Sequence, residues 1–236
     1  MFESIKNKFQ FRFKDRTYAA NILGAALEDF LGKEKERTNN LAVLGIPRGG
    51  VIVAYIVATK LKALNFDIVI PRKLRIPHNE EAAFGAIMGD GTVYIDDRIV
   101  KALDISEKYM EKEKNLQLQE IKRRYAMYIS SKEMQQYLEN KINDIIILVD
   151  DGAASGATVI AASRSARKTF NPRKLIIGLP VAPKQTVELL RREADHVEIV
   201  TAPSLFFNSV GQYYQSFEQV SDEKVIEIMK NRKLLY

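Results

Sequence analysis

The most constraining stretch of this chain begins with the apolar residues Ile145-Ile146-Ile147-Leu148-Val149. It continues without a break into Asp150-Asp151-Gly152-Ala153-Ala154-Ser155-Gly156-Ala157-Thr158. An uninterrupted run of branched apolar residues fits a strand covered on both faces, as the central strands of parallel sheets are. A strand of that kind needs helices on both sides of it. The small-residue loop leads at once into a helical pattern over residues 156–170. The stretch therefore predicts an α/β fold. It also predicts where a site lies, because ligands of open α/β sheets bind beyond the carboxyl ends of the strands.

The flanking sequence repeats the rhythm. Residues 15–31 carry Ala19, Ile22, Leu23, Ala26, Leu27, Phe30 and Leu31 at helical spacing, with Gly32 expected as the stop. Residues 41–46 read as a strand that breaks at Pro47-Arg48-Gly49-Gly50. Val53, Val57, Leu61 and Leu64 mark the next helix face, and residues 66–70 the next strand. Strand, turn, helix and strand form a βαβ unit with parallel pairing. Beyond the central strand, residues 174–179 and 197–200 read as strands and 184–194 as a helix. Ser221 caps a last helix carrying Val225, Ile226 and Met229.

The middle of the chain departs from that order. Apolar runs at 83–88 and 92–95 flank Gly89-Asp90-Gly91, which signals a β-hairpin. Residues 74–82, with Pro77, His78, Asn79, Glu80 and Glu81, read as a loop able to close over a site. From 106 to 140 the chain is rich in Lys, Glu and Gln, with Leu118, Ile121, Tyr125 and Tyr128 giving it an apolar face. The most economical architecture is a single domain over residues 1–236 with a helical insert near 98–143.

Composition removes several chemistries. Without Cys there are no disulfides, thiolate nucleophiles or iron–sulfur clusters, and with only His78 and His196 no multi-His metal site. Lys and Arg number 36 against 30 Asp and Glu, a net charge of +6 mixed along the chain. That favours a local anion site over a nucleic-acid surface, and the charges near 106–128 nearly balance. No apolar run reaches the roughly 18 residues of a membrane span, and the first residues lack the apolar core of a signal peptide. The expectation is a soluble, cytoplasmic protein with neither nucleic acid nor membrane as a partner.

The loop after residue 149 has its own chemistry. Backbone N–H groups and the hydroxyls of Ser155 and Thr158 gather beside a helix start, which suits a phosphate. Gly152, Ala153, Ala154, Gly156 and Ala157 leave room for it. Asp150 and Asp151 would repel that phosphate and suit vicinal hydroxyls, a divalent cation, or both. Asp-Asp alone is a common dipeptide; the attached loop makes it specific. No Walker G-x-x-x-x-G-K-[ST] occurs, and no G-x-G-x-x-G opens a helix after a strand. The pattern predicts a ligand with a phosphate at one end and a sugar diol at the other. At Pro47-Arg48-Gly49-Gly50, glycine is expected for backbone angles that other residues avoid.

The segment 150–158 resembles the phosphoribosyl-diphosphate signature of the type I phosphoribosyltransferases, with Ser155 keeping a hydroxyl where the family often has Thr. Gly45-Ile46-Pro47-Arg48-Gly49-Gly50 resembles the family's diphosphate loop. Phe13-Lys14-Asp15-Arg16, Arg72-Lys73-Leu74, Phe84-Gly85-Ala86, Val181-Ala182-Pro183, Phe206-Phe207 and Val220-Ser221-Asp222-Glu223 resemble a less characterised bacterial and archaeal subgroup. The resemblance implies a parallel sheet flanked by helices, with a β-hairpin and a helical insert or hood. It implies displacement of diphosphate from phosphoribosyl diphosphate (PRPP) by a nucleobase or similar nitrogen acceptor, with Mg²⁺ as cofactor. Asp150 and Asp151 would hold the ribose hydroxyls and the metal, and Gly152, Ala153, Ala154, Ser155, Gly156, Ala157 and Thr158 the 5-phosphate. Arg48, Gly49, Gly50 and Lys73 would take the diphosphate, with Arg48 and Lys73 stabilising the leaving group. Phe206, Phe207, Tyr213 and Tyr214 are candidates to stack on the acceptor. The competing reading is a non-catalytic PRPP or nucleotide-binding regulator. A homo-oligomer is compatible with either.

Overall fold

The structure is a computed structural model and describes residues 12–36, 40–129, 144–204 and 207–232. Five parallel strands, β1 (Leu41–Gly45), β2 (Asn65–Ile68), β6 (Ile145–Val149), β7 (Lys174–Val181) and β8 (His196–Thr201), form one sheet in the order β2-β1-β6-β7-β8. A second, antiparallel sheet has the order β3-β4-β5, made of β3 (Arg72–Ile76), β4 (Asn79–Ile87) and β5 (Val93–Ile95). The helices are α1 (Arg16–Lys33), α2 (Gly49–Leu61), α3 (Asp97–Ala102), α4 (Glu107–Tyr128), α5 (Ala157–Phe170), α6 (Lys184–Leu190) and α7 (Asp222–Asn231), with a 3₁₀ turn at Val210–Tyr213.

The central strand alternates between two cores. Ile145, Ile147 and Val149 point with Leu41 and Val43 into a core shared with Leu23 and Leu27 of α1, Val53 and Val57 of α2 and Val225 of α7. Ile146 and Leu148 point with Ala42 and Leu44 to the opposite face, against Val159, Ile160 and Ala162 of α5. Each β6 side chain is fully covered, which is why the strand carries no polar alternation. β6 pairs with β1 in register Val149↔Gly45 and with β7 at Val149↔Gly178. The loops after β1 and β6 consequently leave the same edge of the sheet side by side.

Several details differ from the sequence reading. Gly32 lies within α1, and the helix ends where Lys35 takes the left-handed conformation at φ +52°. Leu64 falls beyond α2 and is exposed. Residues 74–82 form a hairpin: β3 pairs with β4, and Pro77-His78 makes the turn, with His78 at φ +62°. The hairpin expected around Gly89-Asp90-Gly91 is formed by β4 and β5. Within the expected insert, α3 and α4 are helical, and residues 130–143 lie outside the described residues. The buried face of α4 holds Glu113 and Gln117 as well as Ile121 and Tyr128. Glu113 accepts from the Arg75 backbone N–H at 3.1 Å, and Gln117 from Arg72 Nε at 3.0 Å, so this polar helix docks on β3 through satisfied buried groups. No described helix is long and apolar enough to cross a membrane.

Candidate functional site

The helices that follow β1 and β6 begin side by side at this edge, and neither is capped by its own N-cap side chain, nor is the short α6 that follows β7. α2 starts after Arg48 and α5 after Gly156, with no acidic residue in either first turn. By contrast, α1, α3, α4 and α7 are capped by Asp15, Asp96, Ser106 and Ser221. Uncapped first-turn N–H groups and the positive end of the helix dipole attract anions. The α5 loop is built to hold its shape. Gly152 and Gly156 have φ of +152° and +78°, conformations a side chain rarely takes. Ala153 N–H donates to Val181 O at 2.9 Å and the Thr186 hydroxyl to Ala154 O at 2.5 Å. Ala154 and Ser155 remain exposed at the tip.

The Pro47-Arg48-Gly49-Gly50 loop reaches the carboxylates directly, and its Pro47–Arg48 peptide is cis. The reason for its glycines differs from the sequence expectation. Neither has a positive φ, and both open α2. A Cβ on Gly49 would run into the Asp151 carboxylate and come within 2.8 Å of Arg16 Nε. One on Gly50 would lie 2.6 Å from Asp150 Oδ1. Close approach, not backbone angle, requires glycine here.

The carboxylates themselves are not equivalent. Asp150 Oδ1 accepts the Asp151 backbone N–H at 2.8 Å. Burial, with the charge of Asp151 beside it, pushes the Asp150 carboxyl well above the usual carboxylate range. Burial also raises Asp151, but Arg16 opposes it, with Nε donating to Asp151 Oδ2 at 2.7 Å. The Tyr214 hydroxyl donates to the Asp151 carbonyl at 2.6 Å. The two Asp side chains are oxygen donors that would hold a Mg²⁺ ion with much of its water kept. Among the described residues no cluster of three or more His, Cys, Asp or Glu forms an all-protein cage.

The other expected site residues are distributed differently. Arg48 pairs with Asp222 Oδ1 at 3.6 Å, and Asp222 also accepts from the Tyr128 hydroxyl. Lys73 is exposed on the antiparallel sheet, opposite Ala86. Tyr213 and Tyr214 are corrected: both are buried in a small core with Phe13 and Val181. Phe13 N–H donates to Tyr213 O at 2.7 Å and Gln215 N–H to Phe13 O at 2.8 Å, sealing that core. Neither ring has a face open to an acceptor. Phe207 is half-buried and stacks on Tyr213 at 5.4 Å; Phe206 lies outside the described residues. Arg16 is the site member that sequence reasoning leaves without a role. Its sequence signal is its place in Phe13-Lys14-Asp15-Arg16, beside Asp15, the α1 cap, and that segment names no role for it.

Comparison with known proteins agrees with this architecture. The sequence model of the phosphoribosyl transferase domain matches residues 16–215. Two Mycobacterium tuberculosis proteins that carry phosphoribosyl transferase names, MT0597 (strain CDC 1551 / Oshkosh) and Rv0571c (strain ATCC 25618 / H37Rv), are each 35% identical over 217 residues. The match takes in 92% of this chain and 46% of theirs, so the chain spans about half the length of these relatives. The crystal structure of TT1426 from Thermus thermophilus superposes with a TM-score of 0.70 at 32% identity, covering 94% of this chain and 99% of that one. The parallel sheet with its two uncapped helix starts, the acidic strand end and the match over residues 16–215 place the chain in the phosphoribosyltransferase family.

Proposed function

We propose that the protein is a Mg²⁺-dependent phosphoribosyltransferase that takes PRPP and passes its phosphoribosyl group to a nucleobase or similar nitrogen acceptor. The observation that carries the reading is the pair of uncapped helix starts on neighbouring strands with two carboxylates packed against one of them. PRPP has two anionic ends separated by a ribose diol, and this arrangement offers two anion sites with acceptors of hydroxyl protons between.

In this reading the N–H groups and hydroxyls of 152–158 hold the 5-phosphate. Asp150 and Asp151 accept hydrogen bonds from the ribose hydroxyls and so fix the sugar ring. The first turn of α2, with Arg48, receives the diphosphate. The C1–oxygen bond breaks as the acceptor nitrogen bonds to C1, and negative charge grows on the departing diphosphate. Bound Mg²⁺ would neutralise part of that charge. Hydrogen bonds to charged groups contribute roughly 1.5–3 kcal/mol each, so several that tighten on the leaving group could lower the barrier substantially. Lys73 joins them if the hairpin brings it over the site. Phe207 remains the described aromatic candidate for the acceptor. A cytoplasmic location suits such a substrate.

The burial of Tyr213 and Tyr214 favours a second reading, a PRPP-binding regulator without an acceptor pocket. Calorimetric titration of PRPP, with and without Mg²⁺, into the wild type and the Asp150→Asn/Asp151→Asn double variant tests the site. Mg²⁺-dependent binding lost in the variant is the expected result, and no binding by the wild type would overturn both readings. Turnover of a nitrogen heterocycle by the wild type then decides for the transferase. Tight binding with no turnover on any acceptor decides for the regulator.

A further inference from the structure

Arg16 belongs to the site although it stands 135 residues from its partner. It is the first residue of α1, a start fixed by Asp15, whose carboxylate accepts the Tyr18 N–H at 2.7 Å. Its guanidinium is held on three sides. Nε donates to Asp151 Oδ2 at 2.7 Å, one Nη donates to the Glu218 carbonyl at 2.7 Å, and Cζ lies 3.8 Å from the centre of the Phe217 ring. The Arg16 and Asp151 side chains are only 11% and 14% exposed. Gly49 closes the fourth side, since a Cβ there would strike both partners. The guanidinium is thus a positive charge held against one oxygen of the carboxylate pair, with little of it left to solvent.

A fixed cation at that point acts oppositely on two forms of a metal. A free divalent ion approaching Asp151 is repelled by the guanidinium and finds one carboxylate oxygen taken. A metal already bound to diphosphate arrives as part of an anion, and the same guanidinium attracts it. We infer that Arg16 is a positioning residue that weakens the hold of the carboxylate pair on free divalent cations, and so favours metal that arrives already bound to a diphosphate-bearing substrate. This deepens the transferase reading and rests on it.

The test follows free Mn²⁺ by electron paramagnetic resonance, in the absence of PRPP, as it is titrated against the wild type, Arg16→Gln and Arg16→Lys. Arg16→Gln is expected to bind Mn²⁺ about tenfold more tightly than the wild type, the scale of one charge–charge interaction at a partly buried site. Arg16→Lys, which keeps the charge, stays near the wild type. Adding Asp151→Asn to Arg16→Gln removes the gain. Equal or weaker Mn²⁺ binding by Arg16→Gln overturns the inference. Should Arg16→Gln fail to fold, Arg16→Met serves instead. It removes the charge but keeps an apolar side chain against the Phe217 ring, and it should tighten Mn²⁺ binding to a similar extent; no gain again overturns the inference. The two readings fail separately. A wild type that does not bind Mg²⁺ and PRPP sinks the transferase reading. A wild type that binds them normally, beside an Arg16→Gln variant with no Mn²⁺ gain, sinks only the inference.

Discussion

The loops that follow β1 and β6 leave neighbouring strands at the same sheet edge and both open a helix, yet they use glycine for opposite reasons. After β6, Gly152 and Gly156 adopt φ of +152° and +78°, and the loop is fastened from behind by Val181 O and the Thr186 hydroxyl. After β1, Gly49 and Gly50 have ordinary helical backbones but lie where any side chain would occupy the space of Asp151 and Asp150. One loop holds a shape of its own. The other is shaped by what it must approach. Glycine in the first should govern folding stability, and glycine in the second should govern what the carboxylates can hold.

The largest effect is expected at Gly152. A methyl there would lie 2.6 Å from Val210 Cγ1 and 3.0 Å from the Val181 carbonyl, at a φ that side chains rarely take. Overpacking and backbone strain together should lower the unfolding free energy of Gly152→Ala by ~2–4 kcal/mol, measured by urea denaturation. Gly49→Ala should behave in the reverse way. Its methyl displaces Asp151 or Arg16, and PRPP binding should weaken roughly 10- to 100-fold on the scale of ~1–3 kcal/mol for an overpacked contact. Its stability should fall by less than that of Gly152→Ala. Equal stability losses in the two variants, with PRPP binding intact in Gly49→Ala, would erase the distinction between the loops.

A smaller effect separates the loops by charge. The β1 loop carries an internal anion, since Asp222 of α7 holds Arg48 at 3.6 Å with both side chains about a quarter exposed (28% and 27%). Diphosphate must compete with it. Asp222→Asn keeps an acceptor for the Tyr128 hydroxyl but removes the charge. It should tighten binding of inorganic diphosphate about two- to fivefold, the range of a partly exposed ion pair. The same substitution should leave inorganic phosphate binding unchanged if phosphate prefers the β6 loop. A matching gain for both anions would show that the two loops do not divide the ligand.

The contrast also marks what can be read from residue order. The strand at 145–149, its acidic end, the hairpin at Gly89-Asp90-Gly91 and the Ser221 cap are legible, because each depends on near neighbours. β3 is not, because only Leu74 of Arg72-Lys73-Leu74-Arg75-Ile76 is fully buried, and its other partners are polar groups of α4. Gly49 and Gly50 can be recognised as necessary, but the reason cannot: the obstructing atoms belong to residues about a hundred positions away. Arg16 is visible in a motif and silent as to role, since its partner is set by the fold. Tyr213 and Tyr214 have the same composition whether they stack on a ligand or close a core; their burial with Phe13 decides it.

A pH titration separates the site from the frame that carries it. Glu36, just beyond α1, meets Arg173 and Lys174 at the start of β7, both at 2.6 Å. The hydrogen bond from Arg173, then that from Lys174, holds its carboxyl at about 2, below its ordinary 4.5. A carboxyl depressed in the folded state contributes stability that is present above the unfolded pKa and is lost as pH falls through the folded one. The window is therefore about pH 5 down to about 2, and the contribution, given charged partners near the surface, is ~0.5–1 kcal/mol. Glu36→Gln should lower stability at pH 7 by that amount and make no difference at pH 2, measured by thermal unfolding. Glu36 ties the N-terminal end of β7, while both anion loops leave the opposite edge of the sheet, so PRPP binding at pH 7 should be unchanged in Glu36→Gln. A loss of binding there would mean that the loops respond to strain in the sheet as a whole, and that the division of labour between their glycines is not local.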